Sequence, residues 1–136
     1  NLEAARRMLM DILCNYQGFK KCVVILVFDA YRVKGNPGSV EHWNGIHVVY
    51  TKEAETADTY IERATYDLAK NHRVRVATSD NLEQVIILGH GAVRVSAKEF
   101  HEEIENAKVL IAEVIARNNR AGREMNQIRS RATIKE

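Results

Sequence analysis

Apolar residues at Leu2, Ala5, Leu9, Ile12, Leu13 and Tyr16 recur at helical spacing and Gly18 follows as a stop, so residues 2 to 17 are expected to form an amphipathic helix. The run from Cys22 to Phe28 is β-branched and continuously apolar. That is the pattern of a parallel strand buried on both faces, and it ends in Asp29-Ala30. A polar stretch from Arg32 to Gly45, containing Gly35-Asn-Pro-Gly38, reads as a loop. A second strand is expected over 47–51. A helix over 56–70 follows, opened by Thr56-Ala57-Asp58 with its acid in the first turn and facing the core through Ile61, Ala64 and Leu68. The third strand, 74–78, runs into Ser79-Asp80-Asn81, good caps for a helix from Leu82 to Leu88 that Gly89-His90-Gly91 ends. A short strand over 92–95 then leads to a capping box, Ser96 with Glu99, and a helix running to about Asn118.

Strands alternating with helices in this way define a three-layer α/β/α domain with a largely parallel central sheet. Such domains open on a strand, whereas this chain opens on a helix and on Asn1, so the first strand is expected to be missing from it.

Composition narrows the picture. The chain has 136 residues, 46% hydrophobic and 28% charged, which suits one globular core and excludes disorder and low complexity. A net charge of +2 excludes a polycation. From Arg117 onward, however, six basic residues face two acids, a local +4 that leaves −2 on the first 116 residues. We therefore divide the chain into a domain over 1–116 and a basic helical tail over 117–136. The two cysteines, Cys14 and Cys22, have no metal-ligand spacing and read as buried thiols in a reducing, cytoplasmic protein. The longest apolar run, Val23 to Phe28, is far below the ~20 residues of a membrane span.

Three acids hold equivalent places: Asp29 ends the first strand, Asp58 follows the second, and Asp80 follows the third. The carboxyl ends of parallel strands share one rim, so these carboxylates can converge. Each also has a plainer role, since Asp58 and Asp80 stand where helix N-caps belong. Asp29 has less excuse, because an acid directly after apolar strand residues is costly unless it reaches solvent or a partner. Crowded carboxylates favour a hard divalent cation, Mg²⁺ or Mn²⁺, which activates water and offsets charge on a phosphate. Glu55 and Glu83 can add to the rim, and Thr78 and Ser79 offer hydroxyls. Arg32, Lys34 and Lys52 lie just beyond strand ends, placed to hold a phosphate backbone, and Trp43 in the polar loop is either a stacking platform for a base or a loop anchor. The histidines lack zinc spacing, and no phosphate-binding glycine motif occurs.

A wider resemblance joins these segments. Val27-Phe28-Asp29-Ala30, the loop from Val33 to Gly38, Tyr50 to Glu62 with its Thr-Ala-Asp58, Val76 to Gln84 with its Thr-Ser-Asp80, and Gly89 to Ala92 with Ser96-Ala97 resemble the YacP-like NYN proteins, a family of PIN-like nucleases, in one collinear order over about residues 1 to 105. The resemblance implies a PIN-like α/β/α sandwich and a metal-dependent endoribonuclease, of which the best-known members cleave mRNA on the translating ribosome. By position, Asp58 and Asp80 match acidic site residues, Asp29 is a further rim acid, and Lys34 and Lys52 face RNA. Family members open on a strand ending in an Asp-Gly-Tyr-Asn motif that this chain lacks, which removes one carboxylate and puts the activity of the 136-residue form in question. Two function classes follow: a metal-dependent endoribonuclease, or an inactive RNA- or ribosome-binding module. The strand edge left open also suggests pairing with a second copy.

Overall fold

The structure, a computed structural model, describes residues 1–78 and 89–135, with side chains as far as Met125. The order is α1 (Leu2–Lys20), β1 (Ile25–Phe28), β2 (Ser39–Trp43), β3 (Ile46–Tyr50), α2 (Ala57–Leu68), β4 (Arg75–Ala77), β5 (Val93–Val95) and α3 (Ala97–Lys135). The helix expected over 82–88 lies outside the described residues.

Helix α1 starts where Asn1 caps it, its Oδ1 accepting from the Glu3 and Ala4 amides at 2.9 and 3.3 Å. It runs through Gly18 rather than stopping there. The left-handed residue that ends it is Lys21, whose amide donates to the Gln17 carbonyl at 2.7 Å. Only the second half of α1 is buried, through Met10, Leu13 and Tyr16. Leu2 and Leu9, expected to face the core, are exposed.

Strands β1 and β3 pair in parallel, Ile25 with His47 through Phe28 with Tyr50. The stretch expected to be loop contains β2, which pairs antiparallel with β3 across Asn44-Gly45. Both turn residues have positive φ, 44° and 99°, as a tight hairpin turn between right-twisted strands requires. The sheet therefore runs β1-β3-β2, and β4 and β5 form a separate parallel pair. Among the described residues, neither β1 nor β4 has a strand on its other edge. This corrects the expectation that the first apolar run is a fully covered central strand: Val23 and Ile25 are 78% and 41% exposed.

Ile46 and Val48 turn toward α1 and α3, where they form the main core with Met10, Leu13, Tyr16, Ile104 and Ala107. Val49, of opposite parity, is buried on the other face, on the side of α2. Ile61 of α2 carries the packing on to Val76 and Ala92 beside β4. Three layers result, as the strand and helix order implies. A polar clamp joins β4 to the α1 and α3 layer: Arg75 of β4 grips both carboxylate oxygens of Glu103 on α3, and Glu103 in turn accepts from the Tyr16 hydroxyl of α1 at 3.4 Å. The hydrogen bonds from Arg75 hold the Glu103 carboxyl below the ordinary carboxylate range, while burial and the nearby Glu103 charge push the Tyr16 hydroxyl up. Ser96 caps α3 as the sequence indicates, the Glu99 amide donating to Ser96 Oγ at 3.1 Å, while Ser96 Oγ in turn donates to the Glu99 carboxylate at 3.0 Å. The cysteines do not both match expectation. Cys14 is half-buried and donates to the Trp43 carbonyl at 3.3 Å, whereas Cys22, which follows the end of α1, is exposed.

Candidate active-site rim

Because β1 and β3 are parallel neighbours, their carboxyl ends share one rim, and the chain leaving each strand is stitched to the other. The Thr51 amide donates to the Phe28 carbonyl at 3.1 Å, and the Ala30 amide donates to Thr51 Oγ1 at 2.9 Å. Thr51 is 1% exposed, so this hydroxyl is a fixed internal acceptor. Asp29 lies between these two tethers, and its side chain reaches solvent at the rim, which removes the cost of an acid on an apolar strand.

Asn36 extends the stitching. Its Nδ2 donates to the Thr51 carbonyl at 2.8 Å and to the Ala30 carbonyl at 3.4 Å, while its Oδ1 accepts from the Gly38 amide at 2.9 Å. Its own carbonyl accepts from the Glu53 amide, the Ala54 amide donates to Tyr31, and the Gly35 amide donates to the Glu53 carboxylate at 3.0 Å. The Gly-Asn-Pro-Gly turn signals a loop in the sequence. That its asparagine ties two strand ends together is visible only once β1 and β3 are paired. Gly38 is required here: its φ is +77°, and a Cβ would lie 3.1 Å from the Tyr50 carbonyl oxygen and from the Lys52 amide.

The segment tied to Asp29 leads directly into α2. Thr56 caps that helix, its Oγ1 accepting from the Thr59 amide at 3.1 Å, so the cap is Thr56 and not Asp58. Asp58 stands in the first turn of this helix, which follows the carboxyl end of β3, and the positive end of the helix dipole favours its charge. Glu55 is occupied differently from a rim acid awaiting a cation: it is 8% exposed and pairs with Arg63 of α2 at 2.8 Å. Arg63 also lies over the Tyr60 ring, 5.4 Å from its centroid. Tyr60, Arg63 and Lys52 line an open groove of about 330 Å³ between β2 and the start of α2. No sequence spacing pointed to Arg63, because its link to Glu55 crosses the boundary between loop and helix.

Lys34 and Arg32 lie exposed in the turn after β1, and the Arg32 Nε donates to the Tyr31 hydroxyl at 2.7 Å. Trp43 sits at the other end of the sheet. It pairs with Ile46 at the hairpin turn, is half-buried, and lies under Arg7 at 5.1 Å. Among the described residues its enclosed Nε1 has no partner, and its position at the hairpin turn makes Trp43 an anchor away from the rim. Ser79, Asp80 and Glu83 lie outside the described residues; Thr78, just before them, donates its amide to the Val95 carbonyl at 3.1 Å. Among the described residues no three acids, histidines or cysteines gather in a metal-sized cluster.

A three-layer α/β fold with acids at the carboxyl ends of parallel strands is the architecture of the PIN-like nucleases. The chain belongs to the YacP-like NYN domain family, whose model matches residues 1–136. It is 41% identical over 106 residues to the uncharacterized protein YacP of Bacillus subtilis (strain 168), covering 77% of this chain and 62% of that protein. The chain thus spans less than two-thirds of the curated relative's length. Two crystal structures of Rae1 (YacP) from Bacillus subtilis are similar in fold. One superposes with a TM-score of 0.73 at 33% identity, covering 97% of this chain and 76% of the other. The second, of a mutant, gives 0.66 at 37% identity, covering 82% and 64%. Among the described residues no helix is long and apolar enough to cross a membrane.

Proposed function

We propose that the protein containing this chain is a metal-dependent endoribonuclease acting on mRNA in association with the ribosome. The observation that supports the reading is the tie between the carboxyl ends of β1 and β3 through Thr51 and Asn36, with Asp29 beside it and Asp58 in the first turn of the helix that follows β3, in a family of nucleases. Asp29, Asp58 and Asp80 offer hard oxygen donors, which suits Mg²⁺ or Mn²⁺ and not zinc. Such a cation, when bound, lowers the pKa of water and offsets charge on the phosphate under attack. Glu55 is left out of the ligand set because Arg63 already neutralises it. Arg32, Lys34 and Lys52, exposed around the rim, hold the phosphate backbone and set its register, and the rim acids supply no base selectivity of their own. Among the described residues β1 has no strand on its outer edge, which is where a further strand or a second copy would pair.

A second reading, an RNA- or ribosome-binding module without catalysis, rests on the exposed basic residues Arg32, Lys34 and Lys52 alone. One assay separates the two: cleavage of a labelled RNA by the full-length protein with Mg²⁺, beside Asp58→Asn. The nuclease reading expects cleavage by the wild type and its loss in the variant. Binding of RNA that survives Asp58→Asn, with no cleavage by either protein, establishes the second reading instead.

A further inference from the structure

Helix α3 is 39 residues long, about 58 Å at 1.5 Å per residue. Its first part belongs to the core through Phe100, Ile104, Ala107 and Ile111. From Ala112 to Met125 every residue is exposed. Val114 and Ile115 still line a groove with Asn15, Gly18 and Phe19 of α1; beyond them, from Ala116 to Met125, packing within the domain does not dictate what the exposed surface carries.

That surface is divided. At 100° per residue, Val114, Ile115, Asn118, Gly122 and Met125 continue the stripe that Ile111 buries. Arg117, Arg120 and Arg123, three residues apart, form a ridge on the opposite side, rising about 9 Å along the axis. Glu113 and Glu124 stand within one turn of the ridge, yet none of the three guanidinium groups has an ion-pair partner among the described residues. The sequence beyond adds Arg129, Arg131 and Lys135 against Glu136, so from Arg117 onward six bases stand against two acids and the arm is net basic.

Position excludes the ridge from the rim. Helix α3 begins just after the carboxyl end of β5 and reaches Arg117 about 30 Å along its axis. A stacked strand advances about 3.4 Å per nucleotide, so about nine nucleotides separate the helix start from the ridge.

We propose that the projecting half of α3 is a second, sequence-independent binding site for an RNA backbone, remote from the carboxyl-end rim, with Arg117, Arg120 and Arg123 each meeting a phosphate. Unpaired guanidinium groups on a rod free of the domain suit a polyanion, since each contact releases condensed counterions and none reads a base. The proposal rests on RNA being the substrate, and it makes the arm an anchor for long RNAs while the rim handles short ones alone.

The test uses the full-length protein and its Arg117→Gln/Arg120→Gln/Arg123→Gln variant, which keeps good helix formers at three exposed positions. Binding of an unstructured RNA of about 30 nucleotides and of a tetranucleotide is measured by fluorescence anisotropy across a salt series. For the long RNA, the slope of log K against log salt is expected to fall in magnitude by about 2, at about 0.7 per phosphate on a single strand. Tetranucleotide binding is expected to be unchanged. An unchanged slope with the long RNA overturns the proposal, as does equal weakening for both RNAs, which would place the ridge at the rim. Self-association of the wild type that the triple variant abolishes, with RNA binding intact, overturns it in favour of a protein contact. Cleavage of the same RNAs is scored separately. Salt-sensitive anchoring without any cleavage leaves the arm in place and removes the nuclease reading.

Discussion

Replacing Asn36 with alanine tests whether one side chain holds the rim together. The substitution removes two donations from Nδ2, at 2.8 Å to the Thr51 carbonyl and 3.4 Å to the Ala30 carbonyl, and one acceptance by Oδ1 from the Gly38 amide at 2.9 Å. It leaves the backbone bonds of residue 36 in place. A net contribution of about 0.5–1.5 kcal/mol per bond, with the longest counted lightly, gives a loss of about 2–3 kcal/mol. Urea unfolding followed by circular dichroism reads this directly. At an m-value of about 2 kcal/mol/M the midpoint falls by roughly 1 M with little change in slope. Asn36→Asp refines the result. It keeps the acceptor for Gly38 but sets a carboxylate oxygen against the Thr51 carbonyl, so it should be no more stable than the alanine variant. A loss below about 0.5 kcal/mol, the range of ordinary surface substitutions, would refute the role assigned to Asn36.

Three further outcomes follow from the structure. Glu55→Gln should lower stability by about 1–3 kcal/mol, because it leaves Arg63 without its carboxylate partner, and should leave the metal concentration needed for cleavage unchanged; a metal requirement raised tenfold would return Glu55 to the ligand set. Gly38→Ala should cost more than about 1 kcal/mol in urea unfolding, since the residue combines φ +77° with backbone atoms 3.1 Å from the added carbon. Glu103 has a folded pKa below its unfolded value, so its contribution is present above the unfolded carboxylate pKa of about 4.3 and is lost as pH falls through the folded value. Glu103→Gln should therefore flatten the acid limb of a stability-versus-pH curve and cost about 0.5–1 kcal/mol at pH 7, a modest figure because Arg75 is half exposed; an acid limb as steep as that of the wild type would contradict it.

The elements with strong local signals were legible. Helix α2, strand β3 and the Ser96 cap of α3 follow from periodicity and caps, to within a residue or two. Strand β2 was hidden by its polar composition, although Asn44-Gly45 is a hairpin signal that outweighs the loop character of the residues before it. The helical character of 117–136 was legible from composition, but the helix expected to run to about Asn118 continues into it without a break, because neither a proline nor Gly122 interrupts the turn. Asp29 at the end of β1 and Asp58 at the start of α2 stand where the strand and helix signals put them. The ties around them were not legible: Asn36, Thr51 and Arg63 act through pairings between segments 8 to 21 residues apart, which only the assembled sheet brings together. Trp43 illustrates the converse, an aromatic in a polar stretch whose partner is the underside of α1 and not a ligand.

The central claim is that Asp29 and Asp58 share one cation-dependent site. Mg²⁺ titration of RNA cleavage by the full-length protein, with Asp29→Asn and Asp58→Asn measured beside it, addresses it directly. The account predicts products that vanish with a chelator, and cleavage lost or shifted to much higher Mg²⁺ in both variants. Cleavage that persists in the chelator, or that either variant performs at wild-type Mg²⁺, would contradict it.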